Sequence, residues 1–192
     1  MRVGANNAIR RKSVKSIMET YGINPNVESQ PPDILERINT ALAGLGSTAK
    51  WKRAPKFEQE YNPLRGKTVI MVDDAQGVLE AFAPTLMVAT EGKAVLILFN
   101  GQSAEELAAE IQAKKADIVL LDYHLSESIK GAAVGRKLLG GGFEGKLFGF
   151  SSDPDTVRAF RDAGVNDCIS KEAGSPEKSV KDLAQRLGTE IT

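Results

Sequence analysis

Asp73-Asp74, Asp122, Ser151 and Lys171 each stand directly after a short apolar run, and together they carry three carboxylates, a hydroxyl and an ammonium. Carboxylates gathered at one point raise one another's pKa unless a cation joins them. The chain has one histidine, His124, and one cysteine, Cys168, so histidine-rich and multi-cysteine metal sites are excluded. Oxygen-only ligands favour Mg²⁺, which takes one or two carboxylates, keeps several waters and accepts a phosphoryl oxygen. Lys171 would place positive charge opposite the metal and Ser151 would add a hydroxyl donor, so a phosphoryl group on Asp122 would have partners on three sides. A carboxylate can itself be the nucleophile that accepts that group.

For these side chains to meet, the apolar runs must be neighbouring strands whose carboxyl ends share one edge, where open parallel sheets bind their ligands. Runs at Thr68 to Val72, Ala94 to Phe99, Asp117 to Leu121, Lys146 to Phe150 and Asp167 to Ser170 are short and mostly continuous in apolar character, as strands buried on both faces should be. Helices are predicted between them at about 75–90, 103–115, 131–139 and 155–163, with a fifth at 176–187. Ser103 with Glu106 forms a capping box, Pro154 follows Asp153, and Ser175-Pro176 opens the last helix. The alternation predicts an α/β domain: a (βα)5 doubly wound parallel sheet in three layers.

The 192 residues carry 25 basic and 25 acidic side chains, but residues 1–65 hold eleven of the basic and six of the acidic ones. This asymmetry divides the chain into a helical extension over 1–46, a linker over 47–66 and the α/β domain over 67–192. In the extension, Val14, Ile17, Met18 and Tyr21 recur at helical spacing, and Ile34, Leu35, Ile38, Leu42 and Leu45 give a second helix its apolar face. Two helices so short must dock on the α/β domain, on the same helices of a second chain or on a separate partner, and the opposite charges of the two regions favour the α/β domain. Residues 47–66 show no period and contain two prolines; Trp51 is expected to tuck against a domain. No apolar run approaches the ~20 residues of a membrane span and the N-terminus lacks a signal-like apolar stretch, so the expected location is the cytoplasm. Gly140 to Lys146 matches the start of a phosphate-binding P-loop, but Leu147 stands where Ser or Thr is needed and the segment leads into a strand.

The ordered set Val72-Asp73-Asp74, Leu120-Leu121-Asp122-Tyr123-His124-Leu125, Phe150-Ser151-Ser152-Asp153 and Ile169-Ser170-Lys171 resembles the receiver domain of two-component response regulators over about residues 66–192. The resemblance implies the flavodoxin-like strand order 2-1-3-4-5, and it implies that Asp122 accepts a phosphoryl group from a histidine kinase or phosphotransfer protein. It implies that Asp73, Asp74, Asp122 and the backbone carbonyl of His124 hold Mg²⁺. Ser151 would be the hydroxyl that turns toward the phosphoryl oxygen and Lys171 the ion-pair partner. On this reading the protein is no enzyme beyond self-catalysed phosphotransfer and dephosphorylation, and it signals by contact with a downstream protein or with itself as a dimer. The sequence departs from the family pattern at Glu172, where proline is usual, and at Cys168, where an aromatic residue is usual. The alternative is a nucleic-acid-binding regulator that uses the basic N-terminal segment and Lys50-Trp51-Lys52-Arg53, gated by the receiver.

Overall fold

The computed structural model describes residues 33–57, 62–165, 167–172 and 174–189. Asp33–Thr192 is one compact unit. Its elements run α1 (Ile34–Gly44), β1 (Val69–Asp73), α2 (Gln76–Ala89), β2 (Ala94–Leu98), α3 (Ala104–Ala113), β3 (Ile118–Asp122), α4 (Gly131–Gly140), β4 (Lys146–Ser151), α5 (Thr156–Asp162), β5 (Asp167–Ser170) and α6 (Pro176–Thr189). The five strands are parallel in the order β2-β1-β3-β4-β5, the order expected from the sequence. β1 and β3 are buried at every position, as central strands between two helix layers must be.

Alternation along the strands divides the interior in two. Val69 and Met71 of β1, Ile118 and Leu120 of β3, and Phe148 and Phe150 of β4 face α1, α2 and α6. Ile70, Val72, Val119 and Leu121 face α3, α4 and α5. The capping box of α3 forms as read: the Glu106 N–H donates to Ser103 Oγ at 3.2 Å and the Ser103 N–H to Glu106 Oε2 at 2.8 Å. α5 starts at Thr156, later than the Asp153-Pro154 signal implies, because the turn is closed first by Asp155 N–H donating to Asp153 Oδ1 (2.9 Å) and Thr156 Oγ1 donating to the Asp153 carbonyl (2.7 Å). The P-loop-like glycines form the turn after α4, with Gly142 at φ 77°, a value that favours glycine.

Packing among the described residues runs across the boundaries expected at 46 and 66. Ile34, Ile38, Leu42 and Leu45 of the expected extension share one apolar core with Leu79, Phe82, Leu86 and Met87 of α2. Leu96 and Leu98 on the edge strand β2 pack against the same core, where α2 covers the strand and α1 packs on α2. Burying a side chain such as Leu42 contributes about 1.5–3 kcal/mol. The Arg37–Asp33 ion pair is exposed on both sides, and from α1 Arg37 reaches the Gly92 carbonyl at 3.5 Å, so apolar packing and not charge complementarity seats the helix. Coverage is incomplete: a cleft of about 630 Å³ lies between α1 and β2, lined by Arg37, Ala41, Met87 and Leu96 among others.

The expected linker is likewise fixed to the domain. Leu64 is fully buried and its N–H donates to Asn62 Oδ1 at 3.0 Å, while Asn62 Nδ2 donates to the Ala89 carbonyl at 2.8 Å. Asn39 on α1 holds the Trp51 backbone through both amide atoms, at 2.8 and 3.1 Å. The Trp51 ring nonetheless does not tuck in as expected; the residue is 39% exposed. The periodic segment containing Val14, Ile17, Met18 and Tyr21 lies outside the described residues. Among the described residues, no helix is long and apolar enough to cross a membrane.

Candidate functional site

β1 ends on Asp73 and β3 on Asp122, and both strands are central and parallel, so the two carboxylates emerge side by side at the carboxyl edge of the sheet. Asp73 is fully buried and Asp122 is 3% exposed; Asp74 follows in the turn and is exposed. Oxygens of Asp73, Asp74 and Asp122 all lie within 4.8 Å of one another. Lys171, just beyond β5, sends its ammonium across the edge to Asp73 Oδ2 at 3.0 Å and Asp122 Oδ1 at 2.5 Å. Four of the residues selected from the sequence thus converge.

The electrostatics follow from this crowding. Burial is the largest influence on Asp73 and pushes its carboxyl above the usual range; Lys171 and the Ala75 N–H, which donates to Asp73 Oδ1 at 3.0 Å, oppose it, and Asp122 adds to it. Burial alone would pull Lys171 down, but hydrogen bonds and charge from Asp122 and Asp73 outweigh it and hold the ammonium above its ordinary value. Lys171 is therefore a fixed cation between two buried carboxylates. Asp74, exposed, brings a third carboxylate beside them.

Ser151 ends β4 at the same edge, where its carbonyl accepts the Lys171 N–H at 3.0 Å. Its Oγ accepts the Asp153 N–H at 3.1 Å, so in this conformation the hydroxyl serves the turn into α5. His124 lies two residues past Asp122 in a bridge with Lys130, its ring edge-on to Tyr123 at 4.7 Å between centroids.

Two residues that sequence reasoning passed over shape the site from below. A Cβ at Gly131, the first residue of α4, would stand 2.0 Å from the Asp122 carbonyl oxygen, so only glycine lets the helix start so close to the end of β3. Gly131→Ala is expected to cost about 1–3 kcal/mol of stability and to displace Asp122. Urea denaturation checks the first, and loss of divalent-cation affinity the second; a variant unchanged in both would show that the approach relaxes freely. Phe160 of α5, fully buried, covers Gly149 and meets Tyr123 edge-on at 5.6 Å. Its ring lies over Gly149 beside Cys168, and a Cβ at Gly149 would come within 2.6 Å of both Phe160 and the Cys168 Sγ. The small Cys168 on β5 thus coexists with an aromatic ring contributed by the preceding helix. Burial pushes the Cys168 thiol up, which leaves it a weak nucleophile.

No protein-family model and no curated protein sequence matches the chain. Among solved structures it is similar to the BeF3-activated DrrB receiver domain, with 20% identity and a TM-score of 0.49 over 63% of this chain and 96% of that one. It is also similar to the receiver domain of the histidine kinase CKI1 from Arabidopsis thaliana complexed with Mg2+, with 15% identity and a TM-score of 0.48 over 64% of this chain and 94% of that one. A two-component response regulator from Clostridium difficile matches at 16% identity and a TM-score of 0.46 over 62% of this chain and 96% of that one. The fold itself is defined by the five parallel strands and their order.

Proposed function

We propose that residues 67–192 form a phosphorylatable receiver in which Asp122 is the phosphoryl acceptor, and that the protein signals by contact with a protein partner. The observation that carries this reading is the ammonium of Lys171 set between two buried carboxylates, with a third carboxylate within 4.8 Å. A carboxylate oxygen of Asp122 attacks phosphorus; an O–P bond forms while the bond from phosphorus to the donor breaks and its electron pair leaves with the donor. The donor chemistry is the phosphoimidazole of a histidine kinase or phosphotransfer protein. Lys171 holds Asp122 in place and answers the negative charge gained by the acyl phosphate. Ser151 donates to a phosphoryl oxygen once its hydroxyl turns from the Asp153 N–H.

Mg²⁺ fits the acidic cluster. Two oxygens bound to one such ion at about 2.1 Å stand at most about 4.2 Å apart, so a set spanning 4.8 Å closes on it with a small movement. Asp73, Asp74 and Asp122 with the His124 carbonyl would hold the ion, which supplies positive charge to the phosphoryl oxygens. The chain acts on no substrate other than its own phosphoryl group, and the cytoplasm, where phosphodonor proteins work, is the setting this reading assigns.

Asp122→Asn is expected to abolish labelling by a small phosphodonor such as acetyl phosphate with Mg²⁺, measured by intact mass, while the variant folds as the wild type does. Full labelling of the variant would assign the acceptor elsewhere. A second reading, nucleic-acid binding, is favoured by Lys50, Trp51, Lys52 and Arg53, which are all exposed on a backbone pinned by Asn39. Binding of single-stranded oligonucleotide that weakens steeply with salt would support it.

A further inference from the structure

Lys171 stands between Ser170, the last residue of β5, and Glu172, in the connection to α6, which begins at Pro176. One hydroxyl holds this stretch from behind. Ser179, on α6 and 3% exposed, donates from Oγ to the Ser170 carbonyl at 2.7 Å and accepts the Glu172 N–H on the same atom at 3.0 Å. The residue before Lys171 and the residue after it are thus tied to a single side chain. The Lys171 N–H itself donates to the Ser151 carbonyl at 3.0 Å, so the backbone is fixed at three successive residues.

A serine inside a helix ordinarily turns its hydroxyl to water or to the carbonyl four residues back. Ser179 instead spends both its proton and a lone pair on a neighbouring segment, and does so in a buried position where an unpaired N–H or carbonyl is costly. Glu172 also explains itself here: proline at that position would have no N–H to give. A lysine side chain is long and rotamer-rich, and it meets two carboxylates at once only if its Cα is correctly placed.

We propose that Ser179 is a positioning residue that clasps the backbone on both sides of Lys171 and so holds its ammonium in joint contact with Asp73 and Asp122. The effect of this clasp on phosphoryl uptake rests on the assignment of Asp122 as acceptor; the placement of Lys171 does not.

The test uses the full chain and the variants Ser179→Ala and Ser179→Thr, with lysine ammonium resonances recorded by NMR in the absence of divalent cation and the Lys171 signal identified by its loss in Lys171→Met. Wild type is expected to show a Lys171 ammonium protected from solvent exchange, Ser179→Ala to lose that protection, and Ser179→Thr, which keeps the hydroxyl, to restore it. In parallel, labelling by acetyl phosphate with Mg²⁺ is expected to slow about tenfold in Ser179→Ala, the effect of a loss near 1.4 kcal/mol, and to recover in Ser179→Thr. An unchanged Lys171 signal in Ser179→Ala overturns the proposal, as does a slowed rate that the threonine variant does not restore. Where Ser179→Ala does not fold, Ser179→Cys, whose thiol makes only weak hydrogen bonds, is read in the same way. Failure of every protein to take up label, wild type included, removes the acceptor role of Asp122 and leaves the ammonium signal to decide the placement of Lys171.

Discussion

Leu42→Ala is expected to lower the stability of the whole Asp33–Thr192 unit by about 2–5 kcal/mol, the range for removing a fully buried leucine side chain where the surroundings relax only in part. Leu42 is fully buried in the core that joins α1 to α2, so its methyl groups are lost from the same interior that supports β1 and β3. Unfolding should remain a single transition followed alike by the fluorescence of Trp51, next to α1, and by far-ultraviolet circular dichroism. An early loss of the Trp51 signal, with the main transition where wild type has it, would mean that α1 is an appendage to the sheet.

Lys171→Met removes the ammonium from between Asp73 and Asp122 and is expected to cost about 3 kcal/mol at neutral pH without divalent cation. That is the lower end of the range for breaking a buried ion pair by removing one partner. The pH dependence has a definite sign. Burial already raises the folded-state pKa of Asp73 above 3.8, and losing Lys171 removes the main influence opposing that rise. Between the unfolded and folded values the native state binds more protons than the unfolded chain, so stability falls as pH rises through that window. The gap between wild type and variant should therefore narrow as pH falls toward 3.8. Mg²⁺ should stabilise the variant more than the wild type, because no ammonium then competes for the same oxygens. A gap that is constant with pH and indifferent to Mg²⁺ would show that the carboxylates are less confined than the distances imply.

The candidate site was legible in the sequence because its residues stand at strand ends, and strands buried on both faces announce themselves as apolar runs. A parallel sheet delivers every strand to the same edge, so the strand ends alone place Asp73, Asp74, Asp122 and Lys171 together. The packing behind the site left no such trace. Helical spacing of Ile34, Ile38 and Leu42 gives the apolar face of α1 but not its partner, the Leu79, Phe82 and Leu86 face of α2, which the fold brings to it from far along the chain. Ser179 is one hydroxyl in an amphipathic helix, and nothing in its neighbours distinguishes a residue that clasps a loop from one that faces water. Gly131 and Gly149 are required by what stands opposite them, an Asp122 carbonyl and the Phe160 ring, which only the fold brings near. Trp51, expected to tuck against a domain, is held there by its backbone through the Asn39 amide, and the residue stays 39% exposed.

The intact mass of the wild-type chain after incubation with acetyl phosphate tests the acceptor role of Asp122 most directly. With Mg²⁺ the mass should rise by one phosphoryl group, the adduct should be discharged by hydroxylamine as an acyl phosphate is, and with a chelator in place of Mg²⁺ no adduct should form. A chain that gains no mass in Mg²⁺, or that gains a hydroxylamine-stable adduct with or without the metal, would contradict the reading of Asp122 as a phosphoryl acceptor.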